Sequence, residues 1–381
     1  MSRVLIVPMA AMAQTAGSMS RAVTLGRTLE SQGHTVALCV ASDVNHTKPT
    51  SLKEYPLETP VPLGLPAFIG MSTFPIAQKL GITSKKEVKS FEEVLHLTGN
   101  IDYKYLKESI EDICDAASGF KPDVIYSEFS IPAMIASAIL GIRCFATVSY
   151  PTQSSYASAP SLACGVNRIL KENNLPEVKS SLDLFKIPEK KFVPSIPELE
   201  PWEEDVIYCG AWKHPSAAPA ASTRDKILVY MGSGTISSKV MVKVIKEAFR
   251  DAHMEVFIAS KDLLEMHDGN IHIAPFFNFG KLLPESRLYI NHGGQNSIVD
   301  GLVNKVPMLI CPGKVFERKY NASSVAKLGA GFTADADKFD ATTVKELSSR
   351  ILEDPSFSTN ASALGKKLLS YGGAEEVATY L

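Results

Sequence analysis

Several protein classes are excluded by what this chain lacks. Its 39 basic and 41 acidic residues leave a net charge of -2, so it has no basic field with which to hold nucleic acid. Six cysteines, Cys39, Cys114, Cys144, Cys164, Cys209 and Cys311, form no C-x-x-C pair and no cluster with histidine. They read as small buried hydrophobes in a reducing compartment, which argues against a zinc site or a disulfide framework. No apolar run reaches the roughly 18 residues needed to cross a bilayer. The opening MSRVLIVPMAAMAQ carries one arginine and too few apolar residues for a secretory leader, so it reads as a first strand, and a cytoplasmic chain is expected. No G-x-G-x-x-G follows that strand, which weakens a reading as an NAD-dependent oxidoreductase.

What is present describes a globular α/β chain. At 381 residues, 45% hydrophobic and 21% charged, it has length for two buried cores. Val4 to Val7 suits a strand buried on both faces. A helix follows from about Ser18 to Gln32, closed by Gly33, and Val36 to Ala41 is the next strand. His34, at that helix-to-strand corner, is read as structural. Residues 44 to 120 are the least regular part, and the apolar, Pro- and Gly-broken stretch 61–82 reads as an acceptor pocket or a membrane-docking lip, or as plain core filler. Regular patterning returns with strands at 122–126 and 144–148 around an apolar helix, Ile131 to Leu140. The small, Pro/Ala-rich run 214–225 has the composition of a linker. A second strand-helix series begins with Ile227 to Tyr230 and the turn Gly232-Ser233-Gly234-Thr235, a tight connection or a phosphate contact.

The most informative stretch is Leu288 to Ala322. It reads as a short strand, the turn His292-Gly293-Gly294, a helix opening at Gln295-Asn296-Ser297, a buried strand from Val306 to Cys311, a Pro-Gly loop and a helix start near Glu317. The first N–H groups of a helix lack partners and its dipole favours negative charge there, so strand, glycine turn and helix start make an anion site. Gly293 and Gly294 allow close backbone approach, Asn296 and Ser297 add donors, and His292 ends the strand beside them. Composition alone also permits an ordinary βαβ turn whose glycines serve packing.

His-Gly-Gly, Asn-Ser, Asp300 three residues later, Val306-Pro307, Pro312 and Asn321-Ala322 closely resemble the donor-binding signature of GT-B nucleotide-sugar-dependent glycosyltransferases, nearest to the macrolide and natural-product group. The resemblance implies that His292, Gly294, Gln295, Asn296 and Ser297 hold a diphosphate, with Gly232 and Ser233 as a second contact. It implies that Asp300 binds ribose hydroxyls, that Phe276 or Phe277 lines the base, and that Glu317 and Arg318 meet the sugar. Here the sequence departs from the family, which carries Asp-Gln where this chain has Glu317-Arg318. The family's first loop usually supplies Gly-His, whose histidine serves as general base; this chain has Gly17-Ser18, and a hydroxyl is no useful proton acceptor near neutral pH. Glu128 stands where relatives place the acid that orients that histidine, so it becomes the first candidate base, expected partly buried just past its strand, with His46 second. The alternative for Glu128 is a cap on the helix beginning near Ile131.

The resemblance implies two Rossmann-like α/β domains in GT-B architecture, 1–213 for the acceptor and 226–365 for the donor. They would face each other across a cleft, with a final helix, 366–381, packing back on the first domain. The expected activity is metal-independent transfer of a sugar from a UDP- or dTDP-sugar to a small or lipidic acceptor, with no cofactor, by a monomer or homodimer. A nucleotide-sugar hydrolase or epimerase of the same architecture, or a non-catalytic nucleotide-sugar-binding or activator protein, are the alternatives.

Overall fold

β-Branched, uninterrupted apolar runs become parallel strands covered on both faces, as the pattern requires. The computed structural model describes residues 1–10, 17–41, 49–62, 87–212, 224–232 and 236–381. These form two compact units.

The first unit contains β1 (Arg3–Pro8), β2 (Thr35–Ala41), β3 (Lys53–Leu57), β4 (Val124–Glu128), β5 (Arg143–Thr147), β6 (Lys190–Val193) and β7 (Ile207–Tyr208). They pair in the order β3-β2-β1-β4-β5-β6-β7, parallel throughout. The strand order reverses between β1 and β4, the place where doubly wound sheets open a crevice at their carboxyl ends. Helix Gly17–Ser31 buries Ala22, Leu25 and Leu29 in one core with Val4, Ile6, Val36 and Leu38. The apolar helix Ile131–Leu140 ends on Gly141, whose φ of 64° is the left-handed cap that glycine adopts without strain.

Part of the stretch expected to be irregular is regular. It contains β3 and the helices Phe91–Leu97 and Tyr103–Phe120. The longer helix buries Tyr105, Leu106, Ser109, Ile110, Ile113, Ala116, Ala117 and Phe120, a helical repeat diluted by serine and alanine. Asp102 caps it by accepting from the Lys104 and Tyr105 amides. Residues 63–86, most of the expected acceptor or membrane-facing stretch, lie outside the described residues, as do His46, Ser233 and most of the expected linker.

The last residues, Tyr371–Leu381, belong to the first unit. Ala374 and Val377 enter its core, the Tyr380 ring meets Phe192 edge-on at 5.6 Å, and the Ser2 hydroxyl donates to the Leu381 carbonyl at 2.7 Å. The chain thus returns to the core it began, as expected for the fold class.

The second unit has β8 (Lys226–Tyr230), β9 (Glu255–Ala259), β10 (Met266–Asp268), β11 (Ile271–Ala274), β12 (Ser286–Asn291), β13 (Met308–Ile310) and β14 (Gly331–Thr333). Their order is β10-β11-β9-β8-β12-β13-β14, all parallel except β10, which runs antiparallel to β11. The order reverses between β8 and β12, so the turns after those two strands, Gly232 and His292-Gly293-Gly294, share a switch point. Among the described residues no helix is long and apolar enough to cross a membrane.

Candidate active site

β12 is a central strand, and its last residue sets the turn that follows. The buried Asn291 accepts from the Gly293 amide through Oδ1 at 2.8 Å, an Asx turn that reverses the chain at once. Gly293 has φ 81°, and a Cβ there would lie 2.9 Å from the Arg318 carbonyl oxygen, so both conformation and space demand glycine. Asn321 Nδ2 donates to the Gly293 carbonyl at 2.9 Å. The turn is therefore fastened to the helix Phe316–Lys327 that carries Arg318 and Asn321.

His292 lies between two glycines. A Cβ on Gly294 would fall 2.7 Å from His292 Nε2, and one on Gly232, whose φ is 60°, would fall 3.1 Å from the ring. Tyr230 meets the imidazole edge-on at 5.6 Å. Burial, and then the Arg318 cation, push His292 down to about 3 against a hydrogen bond from the ring to the Tyr230 backbone. The imidazole is therefore neutral near pH 7. Its Nδ1 is buried with no hydrogen-bond partner, a state that costs about 1–3 kcal/mol unless a ligand relieves it. Burial also lowers the Arg318 pKa. Two groups whose positive charge is disfavoured thus converge on one turn, and an arriving anion would favour the charged form of both.

Gly294 is the cap residue of helix Gln295–Val303 and offers no side-chain acceptor to its first turn. Gln295 and Asn296 are half-buried in that turn. Ser297 is buried and hydrogen-bonded to the fully buried Tyr289 hydroxyl, whose pKa is raised chiefly by burial. Its side chain thus serves the sheet-helix packing as well as the turn. Asp300 lies half-buried one turn further, close enough to Tyr289 to raise its pKa too. Glu317 is half-buried beside Arg318. Beyond β11, Phe276 is 79% exposed, whereas Phe277 packs edge-on against Phe257 at 5.3 Å.

In the first unit the switch point holds a buried ion pair. Glu128 is the last residue of β4, not a residue beyond it, and is 0% exposed, not partly buried. Its Oε1 accepts from Arg21 Nε at 2.6 Å and its Oε2 from the Thr147 hydroxyl, which also pairs with Tyr126 at 2.9 Å. Burial raises the Glu128 pKa, opposed by Arg21 and Thr147. Nor does Glu128 cap the following helix, since Ser130 holds that position. The Ser18 hydroxyl accepts from the Met9 amide and donates to the Glu128 carbonyl, both at 3.1 Å, tying the ends of β1 and β4 together. Phe129, next along, adopts φ 60°, a strained conformation for a side-chain-bearing residue, with the Arg21 guanidinium 5.3 Å over its ring.

The structure thus assembles Gly232, His292, Gly294 and Arg318 at one point, with Gln295, Asn296, Ser297 and Asp300 on the adjoining helix. Tyr230, Asn291 and Asn321 also hold the turn in place, through the ring contact with His292 and the hydrogen bonds to Gly293. Of these, only the Asn-x-Gly spacing of Asn291 and Gly293 is a local sequence signal.

This two-sheet architecture is that of the GT-B fold. The chain aligns over 100% of its length with CalG4, the calicheamicin glycosyltransferase, at TM-score 0.75 and 14% identity, covering 97% of that chain. It aligns likewise with the spinosyn rhamnosyltransferase SpnG at TM-score 0.73 and 17% identity, covering 99%. Residues 245–381 match the family described as erythromycin biosynthesis protein CIII-like, C-terminal domain. The aclacinomycin-T 2-deoxy-L-fucose transferase of Streptomyces galilaeus is 28% identical over 31% of this chain and 27% of its own length. The NDP-glycosyltransferase YjiC of Bacillus licheniformis is 26% identical over 55% of this chain and 56% of its own. The chain thus spans between about a quarter and about half of these curated relatives. In fold it is similar to GT-B glycosyltransferases, and its residues 245–381 are similar in sequence to the erythromycin biosynthesis protein CIII-like C-terminal domain.

Proposed function

We propose that this protein transfers a sugar from a UDP- or dTDP-sugar to a small or lipidic acceptor. The observation that carries the reading is the unpartnered, buried Nδ1 of His292, set beside Arg318 at the mouth of a glycine-capped helix. A diphosphate placed there would favour the protonated ring, whose Nδ1–H would then donate to it, and would lie beside the Arg318 guanidinium. It would also accept from the first helical amides, and charge building on the leaving diphosphate would be stabilised by the same groups. SpnG has been solved with thymidine diphosphate and with spinosyn aglycone, which supports a nucleoside diphosphate and a small-molecule acceptor here. In this reading Asp300 accepts from ribose hydroxyls, Phe276 offers its exposed face to the base, and Glu317 meets the sugar. Neither a metal nor a further cofactor takes part, and the chain works in the cytoplasm.

Glu128, held in its ion pair, is a strut in this proposal and the proton acceptor is sought elsewhere, with His46 next in line. The same burial of Glu128, with serine at position 18, favours one other reading: a protein that binds a nucleotide sugar without transferring it. A panel of UDP- and dTDP-sugars, each incubated with and without candidate aglycones and followed by product mass, separates the readings. Transfer gives a glycosylated acceptor; hydrolysis gives free sugar at full rate from donor alone; a binding protein gives a thermal shift and no product. Either of the last two outcomes overturns the proposal.

A further inference from the structure

The far edge of the second sheet carries a cluster outside the donor site. β10 and β11 form a hairpin around Gly269 and Asn270, with Gly269 at φ 61°, and the two-residue loop fixes their register. Asn270 Nδ2 fastens the hairpin by donating to the carbonyls of Phe249, Ala252 and Met254 at 2.9, 3.1 and 2.9 Å. That register sets His267 directly opposite His272, and their Nδ1 atoms lie 3.1 Å apart. His272 is braced twice. Its Nε2 is 3.2 Å from Glu255 Oε1 on β9, and its ring stacks on Phe257 at 4.5 Å and 9°. His267 and Glu255 are exposed and His272 half-buried, so solvent reaches the pair.

We propose that His267 and His272 form a binding site for a divalent transition-metal ion that favours imidazole, such as Zn2+, Ni2+ or Cu2+. Two metal–nitrogen bonds of about 2.1 Å at adjacent coordination positions place their nitrogens about 3.0 to 3.4 Å apart, and the Nδ1 atoms already stand within that span. Glu255 supplies the outer partner that orients a ligating histidine: by accepting the Nε2 proton it leaves a lone pair on His272 Nδ1. In the metal-free pair His267 then donates its Nδ1 proton to that lone pair. On binding, His267 moves its proton to Nε2, both Nδ1 lone pairs turn to the metal, and no proton is released while both rings are neutral. Among the described residues no group of three or more ligating side chains occurs, so water fills the remaining positions and the site is exchangeable. This site is separate from the diphosphate turn, and metal-independent sugar transfer is unaffected by it.

The test is calorimetric titration of Zn2+ into the full-length protein, with electron paramagnetic resonance of the Cu2+ form counting bound nitrogens. The expected result is one binding event, weakened at least tenfold in His267→Ala and in His272→Ala, and about ten- to a hundredfold in Glu255→Gln. His253→Ala, at an exposed histidine outside the cluster, should leave it unchanged. His267→Ala is the cleaner variant because it keeps the His272–Phe257 stack, and a thermal melt confirms its fold. Equal affinity in wild type and His267→Ala, or no Zn2+ binding by the wild type, would overturn the proposal and leave the pair a proton-sharing contact only.

Discussion

An imidazole held near 3 inside the fold still titrates near 6.5 when the chain is unfolded. As pH falls from 6.5 toward 3 the unfolded chain takes up a proton that folded His292 refuses. Stability fully present above 6.5 is therefore lost across that window. Replacing His292 with Gln removes this one titration, so the variant should gain on wild type as melts are taken from pH 7 down to pH 4; parallel pH profiles would show that the ring is not held neutral. Glu128 makes the opposite kind of claim, one about structure. Removing one member of a buried, hydrogen-bonded ion pair leaves the other charge unpaired, so Glu128→Ala should cost about 3–5 kcal/mol in denaturant unfolding. A loss below about 1 kcal/mol would mean that the carboxylate is freer than its burial indicates. That Glu128 stands near a strand end was legible in the sequence, although the strand extends to include it. Its partners were not, because Thr147 comes from the neighbouring strand β5 and Arg21 from the helix Gly17–Ser31, a meeting that no local pattern encodes.

Among the elements, the glycine turn after β12 offers the sharpest separation of binding from stability. Gly294 has φ -65° and ψ 143°, open to any residue, yet a Cβ there would press on His292 Nε2. Gly294→Ala should therefore displace the imidazole and weaken nucleotide binding about tenfold or more, the scale of one lost hydrogen bond to a charged group, with little change in melting temperature. Gly365→Ala is the contrast: its Cβ would meet the Leu302 carbonyl at 1.9 Å where helix Pro355–Leu369 crosses helix Gln295–Val303, so stability should fall. If both variants melted alike and bound alike, the turn would have no special tie to the ligand. Strands with uninterrupted apolar runs and helices closed by glycine were readable because burial on both faces and left-handed caps leave local marks. Helix Tyr103–Phe120 was missed because serine and alanine thin its apolar stripe. Strand β10 left no mark at all, being exposed along its whole length and ordered by its turn and by Asn270.

For the whole molecule, the ordered run from His292 to Ala322 pointed to the GT-B fold, and two sheets, parallel but for β10, with reversed strand order at β1/β4 and β8/β12 provide its framework. Donor choice belongs to this scale too, because it depends on how ribose, base and sugar are read together. Asp300→Ala should narrow the preference for a nucleotide with both ribose hydroxyls over one lacking the 2′ hydroxyl, and Arg318→Gln should reorder a panel of sugar donors, since a guanidinium donates only. The central claim is that the second unit's switch point holds a nucleoside diphosphate through His292. Titrating UDP and dTDP into the full-length protein and into His292→Ala tests it most directly. The account predicts saturable binding of at least one nucleotide by the wild type and a loss of about a hundredfold in the variant, equivalent to about 2–3 kcal/mol for a hydrogen bond to phosphate. Equal affinities in the two proteins, or no binding of either nucleotide, would contradict it.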